Sequence, residues 1–127
     1  MTFSATELSA LAATQTAWMQ DACQIGVYTS GVDSAGGPTS TYTLGSEIAC
    51  GVNTSARALG RFYDSDGTYY YADAVIRLPL GTTVTFADHV TVTKRMGVAV
   101  TNVEYSLMRV PAVGVSCITC MCRQVVT

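Results

Sequence analysis

The sequence predicts a mainly β domain, a small antiparallel β-barrel or sandwich with one N-terminal α-helix. Three observations carry this. Apolar residues alternate along residues 84–92, at Val84, Phe86, Val90 and Val92, and again at Tyr105 and Leu107. A period of two marks a strand with one face buried and one wet. Val, Thr and Tyr are abundant, and these side chains fit a pleated surface. Apolar spacing of three and four residues marks a helix near the N-terminus.

A chain of 127 residues is read as a single domain, with a helical segment at 1–25 and a barrel at 26–127. Apolar residues make up 49% and charged residues 13%, so disorder is expected only in loops. The formal net charge of −2 comes without the basic stripe of a protein that grips nucleic-acid phosphates. Residues 1–24 lack a basic start and a continuous apolar block, and no run approaches the ~18 apolar residues of a membrane span. Synthesis in a cytosol is therefore expected, and the sequon Asn53-Thr54-Ser55 is taken as chance. Five cysteines are an odd set and imply no full disulfide framework.

The elements follow in order. Ser4 and Glu7 have capping-box spacing. Leu8, Leu11, Ala12, Gln15, Trp18, Met19 and Ala22 then form one stripe, predicting a helix over residues 5–24 that stops at Gly26. The stripe is expected to pack on the protein's own sheet through Leu8, Leu11, Trp18 and Met19. The alternative is a contact of Trp18 and Met19 with a neighbouring subunit. Residues 25–29 read as a short strand. Residues 30–40, rich in Gly and Ser, read as a long loop or wide hairpin. Strand character resumes at 41–44 and 47–52, split by Gly45-Ser46, and residues 53–60 are ambiguous. Residues 61–73 form a second loop region. Asp66-Gly67 is a hairpin turn signal there, flanked by Tyr63 and by Tyr69, Tyr70 and Tyr71. Strands are then expected at 74–80, 84–92, 105–110 and 113–126, with a turn at Met96-Gly97 and a further short strand after it.

Few residues suggest chemistry. Cys117, Cys120 and Cys122 give C-x-x-C-x-C, the one cluster with metal-ligand character. The inserts are β-formers rather than a knuckle turn, and on a strand Cys120 and Cys122 face opposite to Cys117. Buried reduced thiols are the expectation, and no cofactor is implied. Asp64-Ser65-Asp66-Gly67 resembles the start of a calcium loop, but Val75 stands where a bidentate Glu is needed. Asp88-His89 has the composition of an acid–base pair. Adjacent strand residues point to opposite faces, however, so a turn or strand edge is expected. There is no nucleophile motif and no phosphate loop, so no enzyme activity is expected.

The succession Gly36-Gly37-Pro38-Thr39, Thr41-Tyr42-Thr43-Leu44, Ile48-Ala49-Cys50-Gly51-Val52, Arg77-Leu78-Pro79-Leu80-Gly81-Thr82, Asp88-His89-Val90-Thr91-Val92 and Tyr105-Ser106-Leu107 with Val110-Pro111 spans most of the chain. It resembles the head-closure (head-completion or stopper) neck proteins of tailed bacteriophages. The Cys-rich C-terminal strand departs from that pattern. The resemblance implies a small barrel in a homo-oligomeric ring between the portal–adaptor complex and the tail. It implies the virion neck as location, with assembly in the bacterial host cytoplasm. The implied partners are further copies of the chain, portal or adaptor proteins, tail proteins and double-stranded DNA passing without sequence-specific binding. Gly31, Asp33, Gly36, Gly37 and Pro38, and Asp64, Asp66, Gly67 and Tyr69 to Tyr71, are then the expected contact or channel loops. The alternatives are a tail terminator or another minor virion protein and, from a different class, a metal-binding module built on Cys117, Cys120 and Cys122.

Overall fold

In the computed structural model, which describes residues 4–54, 61–63 and 69–125, helix α1 (Ala5–Ala17) precedes ten strands. These are β1 (Asp21–Val32), β2 (Pro38–Leu44), β3 (Ile48–Asn53), β4 (Arg61–Tyr63), β5 (Tyr69–Tyr71), β6 (Ala74–Leu78), β7 (His89–Arg95), β8 (Val98–Leu107), β9 (Ala112–Val113) and β10 (Ile118–Gln124). Six strands in the order β1-β3-β6-β10-β8-β7 close into an antiparallel barrel, because β7 pairs back onto β1. The predicted fold class is the observed one. Strand β2 extends the sheet beyond β1, β9 lies against β10, and β4 and β5 form a separate hairpin.

Period-two patterning fills the barrel. Its interior is built from Cys23 and Ile25 of β1, Cys50 and Val52 of β3, Ala74, Ile76 and Leu78 of β6, Val90 and Val92 of β7, Tyr105 and Leu107 of β8, and Ile118, Cys120 and Cys122 of β10. Each barrel strand gives alternate residues to the same interior, as closure requires. One corner is made where the β1–β7 register shifts between Ala22 and Cys23. There the Thr93 hydroxyl donates to the Ala22 carbonyl at 3.3 Å and to Glu47 Oε2 at 2.8 Å, holding the irregularity. A second device is Asp21, 9% exposed. Its carboxylate accepts the Val52 N–H and the Met96 N–H, each at 2.8 Å, and meets Arg95 Nε at 3.5 Å. One side chain thereby joins the start of β1 to β3 and to the β7–β8 turn.

Several boundaries differ from the sequence expectation. The helix ends at Ala17, not at residue 24, and Gly26 lies within β1. Met19, Asp21, Cys23 and Ile25 are buried with period two, so barrel closure overrides the helical spacing there. The strand expected at 84–92 begins only at His89. The Asp88 carboxylate accepts the Thr85 N–H at 2.9 Å, and the Asp88 N–H donates to the Thr85 carbonyl at 3.1 Å, so residues 85–88 form a capped turn. Val84 still packs against the core, but Phe86 is 54% exposed and its apparent alternation is accidental. The strand expected at 105–110 is the end of β8, which starts at Val98 and stops at Leu107. Met96 and Gly97 have φ of 55° and 79°, the pair of positive values a two-residue type I′ hairpin demands. The strand expected at 113–126 is broken: Gly114 N–H donates to the Cys117 carbonyl at 2.9 Å, and β10 begins at Ile118.

Candidate functional site

The loop expected at residues 30–40 is a wide hairpin whose strands run far past the barrel. Strand β1 leaves β7 after Gly26 but continues pairing with β2 from Gly26↔Leu44 to Val32↔Pro38, without a bulge. Residues 27–32 of β1 are all exposed, as is most of β2, so this two-stranded arm is wet on both faces. It nevertheless carries Val27, Tyr28, Val32, Tyr42 and Leu44 as exposed large apolar groups. Its only charged residue is Asp33.

The tip brings together the residues singled out from sequence. Asp33 Oδ1 accepts the N–H of Ala35 at 2.9 Å and of Gly37 at 2.7 Å, while the Asp33 N–H donates to the Gly37 carbonyl at 2.8 Å. This is Asx-turn chemistry, with a side chain standing in for a backbone acceptor. Gly36 takes φ +87°, and a Cβ on Gly37 would lie 2.9 Å from Asp33 Oδ2. Gly31 and Pro38 sit in the last two paired rungs below the tip. The second expected loop divides differently. Tyr69, Tyr70 and Tyr71 form β5, paired with Tyr63, Phe62 and Arg61 of β4. Asp64, Asp66 and Gly67 lie outside the described residues.

The arm is anchored at its root. Asp88, 5% exposed, accepts the Tyr28 N–H at 3.0 Å while its other oxygen holds Thr85. Next to it, the His89 ring stacks on Tyr42 with centroids 3.7 Å apart and planes at 14°. His89 Nδ1 meets Glu104 Oε1 at 2.7 Å, and Tyr28 tilts onto Tyr42 at 5.6 Å. Asp88 and His89 thus act in different places, Asp88 in a turn and His89 at the strand edge. Tyr42, His89 and Glu104 border a cleft of about 610 Å³ whose wall also includes Asn102 and Gln124. Tyr28, Tyr42 and Glu104 were not singled out from sequence. A hairpin centred on Ala35 places residue 28 opposite 42, so the turn alone signalled that pair; nothing local signalled Glu104.

The cysteines are divided between core and rim. Cys120 and Cys122 are fully buried on the inner face of β10, and Cys117 is half-buried with Sγ 4.0 Å from Thr119 Oγ1. Burial pushes the Cys120 thiol up to about 11, and pushes Cys122 higher still. Cys23 and Cys50 are both fully buried in the barrel interior, and the neighbouring Cys23 thiol together with burial raises Cys50 strongly. Protonated buried thiols are poor ligands and poor nucleophiles. Among the described residues, no group of three or more His, Cys, Asp or Glu is arranged to hold a metal ion. The metal-module alternative therefore has no geometric support in Cys117, Cys120 and Cys122.

The expected helix packing is the clearest correction. No residue of α1 is buried. Leu11 is 40% and Trp18 76% exposed, Leu8 is half-buried, and only Met19, beyond the helix end, enters the buried set. No described helix is long and apolar enough to cross a membrane. Neither a family model nor a curated protein matches this chain.

Proposed function

We propose that this chain is a structural protein of the bacteriophage head–tail connector, a head-closure ring that joins the portal–adaptor complex to the tail and lines part of the DNA path. The observation that carries the reading is the β1–β2 arm. Six residues of β1 run beyond the barrel with their partner strand, exposed on both faces and bearing apolar side chains. Such surface in a single chain marks contact with another protein. The resemblance across residues 36–111 gives that contact its setting. A rigid barrel presenting a long arm and a second hairpin suits stacked rings, where loops on a scaffold carry the variable contacts. Repeated heterologous contacts around a closing rotation produce the ring itself. The weak negative charge suits a wall that DNA slides past, since Lys and Arg contacts supply most non-specific affinity.

Location tests the reading. Antibody against this chain should label purified particles at the head–tail junction. Label on the capsid shell or the tail tip, or no label on particles, would overturn it.

A further inference from the structure

The β1–β2 arm has two open edges, and they are different. Gly26 pairs with both His89 of β7 and Leu44 of β2, so those strands lie on opposite edges of β1. Pairing with β7 ends at Gly26, and the edge it covered is vacant from Val27 to Val32. The first donor on that edge, the Tyr28 N–H, goes to Asp88 Oδ1 at 3.0 Å. Peptide groups alternate in direction along a strand, so the N–H and C=O of Ser30 and Val32 point the same way, off the arm. The rungs Tyr28↔Tyr42 and Ser30↔Ser40 are then the non-hydrogen-bonded ones. Tyr42 and Ser40 therefore turn their backbone groups outward from β2. Among the described residues, no strand pairs with that edge of β2 either.

Neither edge is guarded. Exposed edges are normally blunted by charged side chains, bulges or Pro. Residues 26–32 and 38–44 carry no charge and pair without a bulge, and Pro38 stands only at the last rung. An unguarded edge is a template for another strand. The two edges together say which strand. When two arms point the same way, β1 of one runs antiparallel to β2 of the next, as every described strand pair of this protein does. A foreign strand covers one edge and leaves the other open. A rotated copy of the chain covers both, and a closed ring leaves none.

We infer that the β1 edge of each arm pairs with the β2 edge of the arm on the next copy, so that the arms form one continuous antiparallel sheet around the ring. This rests on the neck-ring reading and supplies its subunit contact. A rotation without rise keeps equal heights together, which sets Ser30 opposite Ser40 of the next copy. Those two residues exchange N–H···O=C bonds in both directions. The Val32 N–H donates to the Pro38 carbonyl, and the Tyr42 N–H donates to the Tyr28 carbonyl. Pro38 at one end, and Tyr28 with its N–H held by Asp88 at the other, each withhold a donor and bound the contact to this stretch.

The test mixes two full-length variants, Ser30→Cys and Ser40→Cys, and treats them with a thiol bridge that spans only adjacent strands, about 4.8 Å apart. Cross-linked dimer is expected in the mixture. Neither variant alone should exceed the wild-type background, because identical positions lie two strands apart, about 9.6 Å. Ser40→Pro reports independently. It removes an outward N–H that the arm's own ladder does not use, so circular dichroism and thermal unfolding of the chain should not change. Assembly, read as mass against concentration, should weaken about tenfold or more. Multimers that neither cross-link in the mixture nor respond to Ser40→Pro would overturn the arm sheet and leave the ring reading standing. Cross-linking by Ser40→Cys alone would mean that two β2 edges pair about a two-fold axis, and overturns it too. A monomer at every concentration would also overturn it, while labelling at the head–tail junction still decides the ring reading.

Discussion

Asp21 shows what a single residue does for this barrel. Its two oxygens take backbone N–H groups from Val52 and Met96, and Arg95 lies beside it. Asp21→Ala should lower stability by about 2–4 kcal/mol, read as the urea midpoint, because two N–H donors lose their acceptor and Arg95 loses its counter-charge. The role was invisible in sequence, where the residue sits inside an apparent helical stripe. The core thiols give a pH dependence. Cys120 is pushed from 9.0 up to about 11 by burial. Below pH 9 the thiol is protonated folded and unfolded, and its contribution is fully present. Between about 9 and 11 only the unfolded chain ionises, so the folded state holds more protons and stability falls as pH rises. The full loss is about 3 kcal/mol, two pKa units at 1.36 kcal/mol each. Cys122 and Cys50 are shifted the same way and extend the loss to higher pH. Urea midpoints at pH 8 and pH 10.5 should show the fall, and Cys120→Ala should reduce it.

Turns and arm roots decide how the elements meet. The Met96-Gly97 turn was legible because Gly accepts the positive φ that a type I′ hairpin requires. Gly97→Val meets no atom within 4 Å, so its cost is conformational. A loss of about 1–2 kcal/mol in thermal unfolding is expected. Asp88 is the corresponding device at the arm. Asp88→Ala should raise amide exchange in residues 27–32 and 38–44 about tenfold, the equivalent of one lost hydrogen bond, and leave β6 and β10 protected. The strands of the barrel wall were legible wherever period two was set by burial on one face, as at Val90 and Val92. Where a side chain caps a turn, as at Thr85–Asp88, alternation misled. At the N-terminus a helical period and a strand period overlap in residues 17–25. Local spacing cannot rank them; closure onto β7 and β3 does.

For the molecule as a whole, a closed barrel removes sheet edges from the core and leaves one arm and one helix unsatisfied. The arm tip was legible through Asp33, Gly36 and Gly37. The Tyr28–Tyr42–His89–Glu104 cluster was not, because strand pairing assembles it from residues far apart in the chain. Replacing residues 31–39 by Asn-Gly should leave the barrel folded by circular dichroism, since β1 pairs with β3 and β7 only through residues 21–26. On the neck reading it should also remove the chain from particles. The most direct measurement is a cryo-electron microscopy reconstruction of the particle neck. A ring of these barrels is expected between the portal–adaptor complex and the tail, with the β1–β2 arms on neighbouring chains. A resolved neck in which every density belongs to other proteins would contradict it.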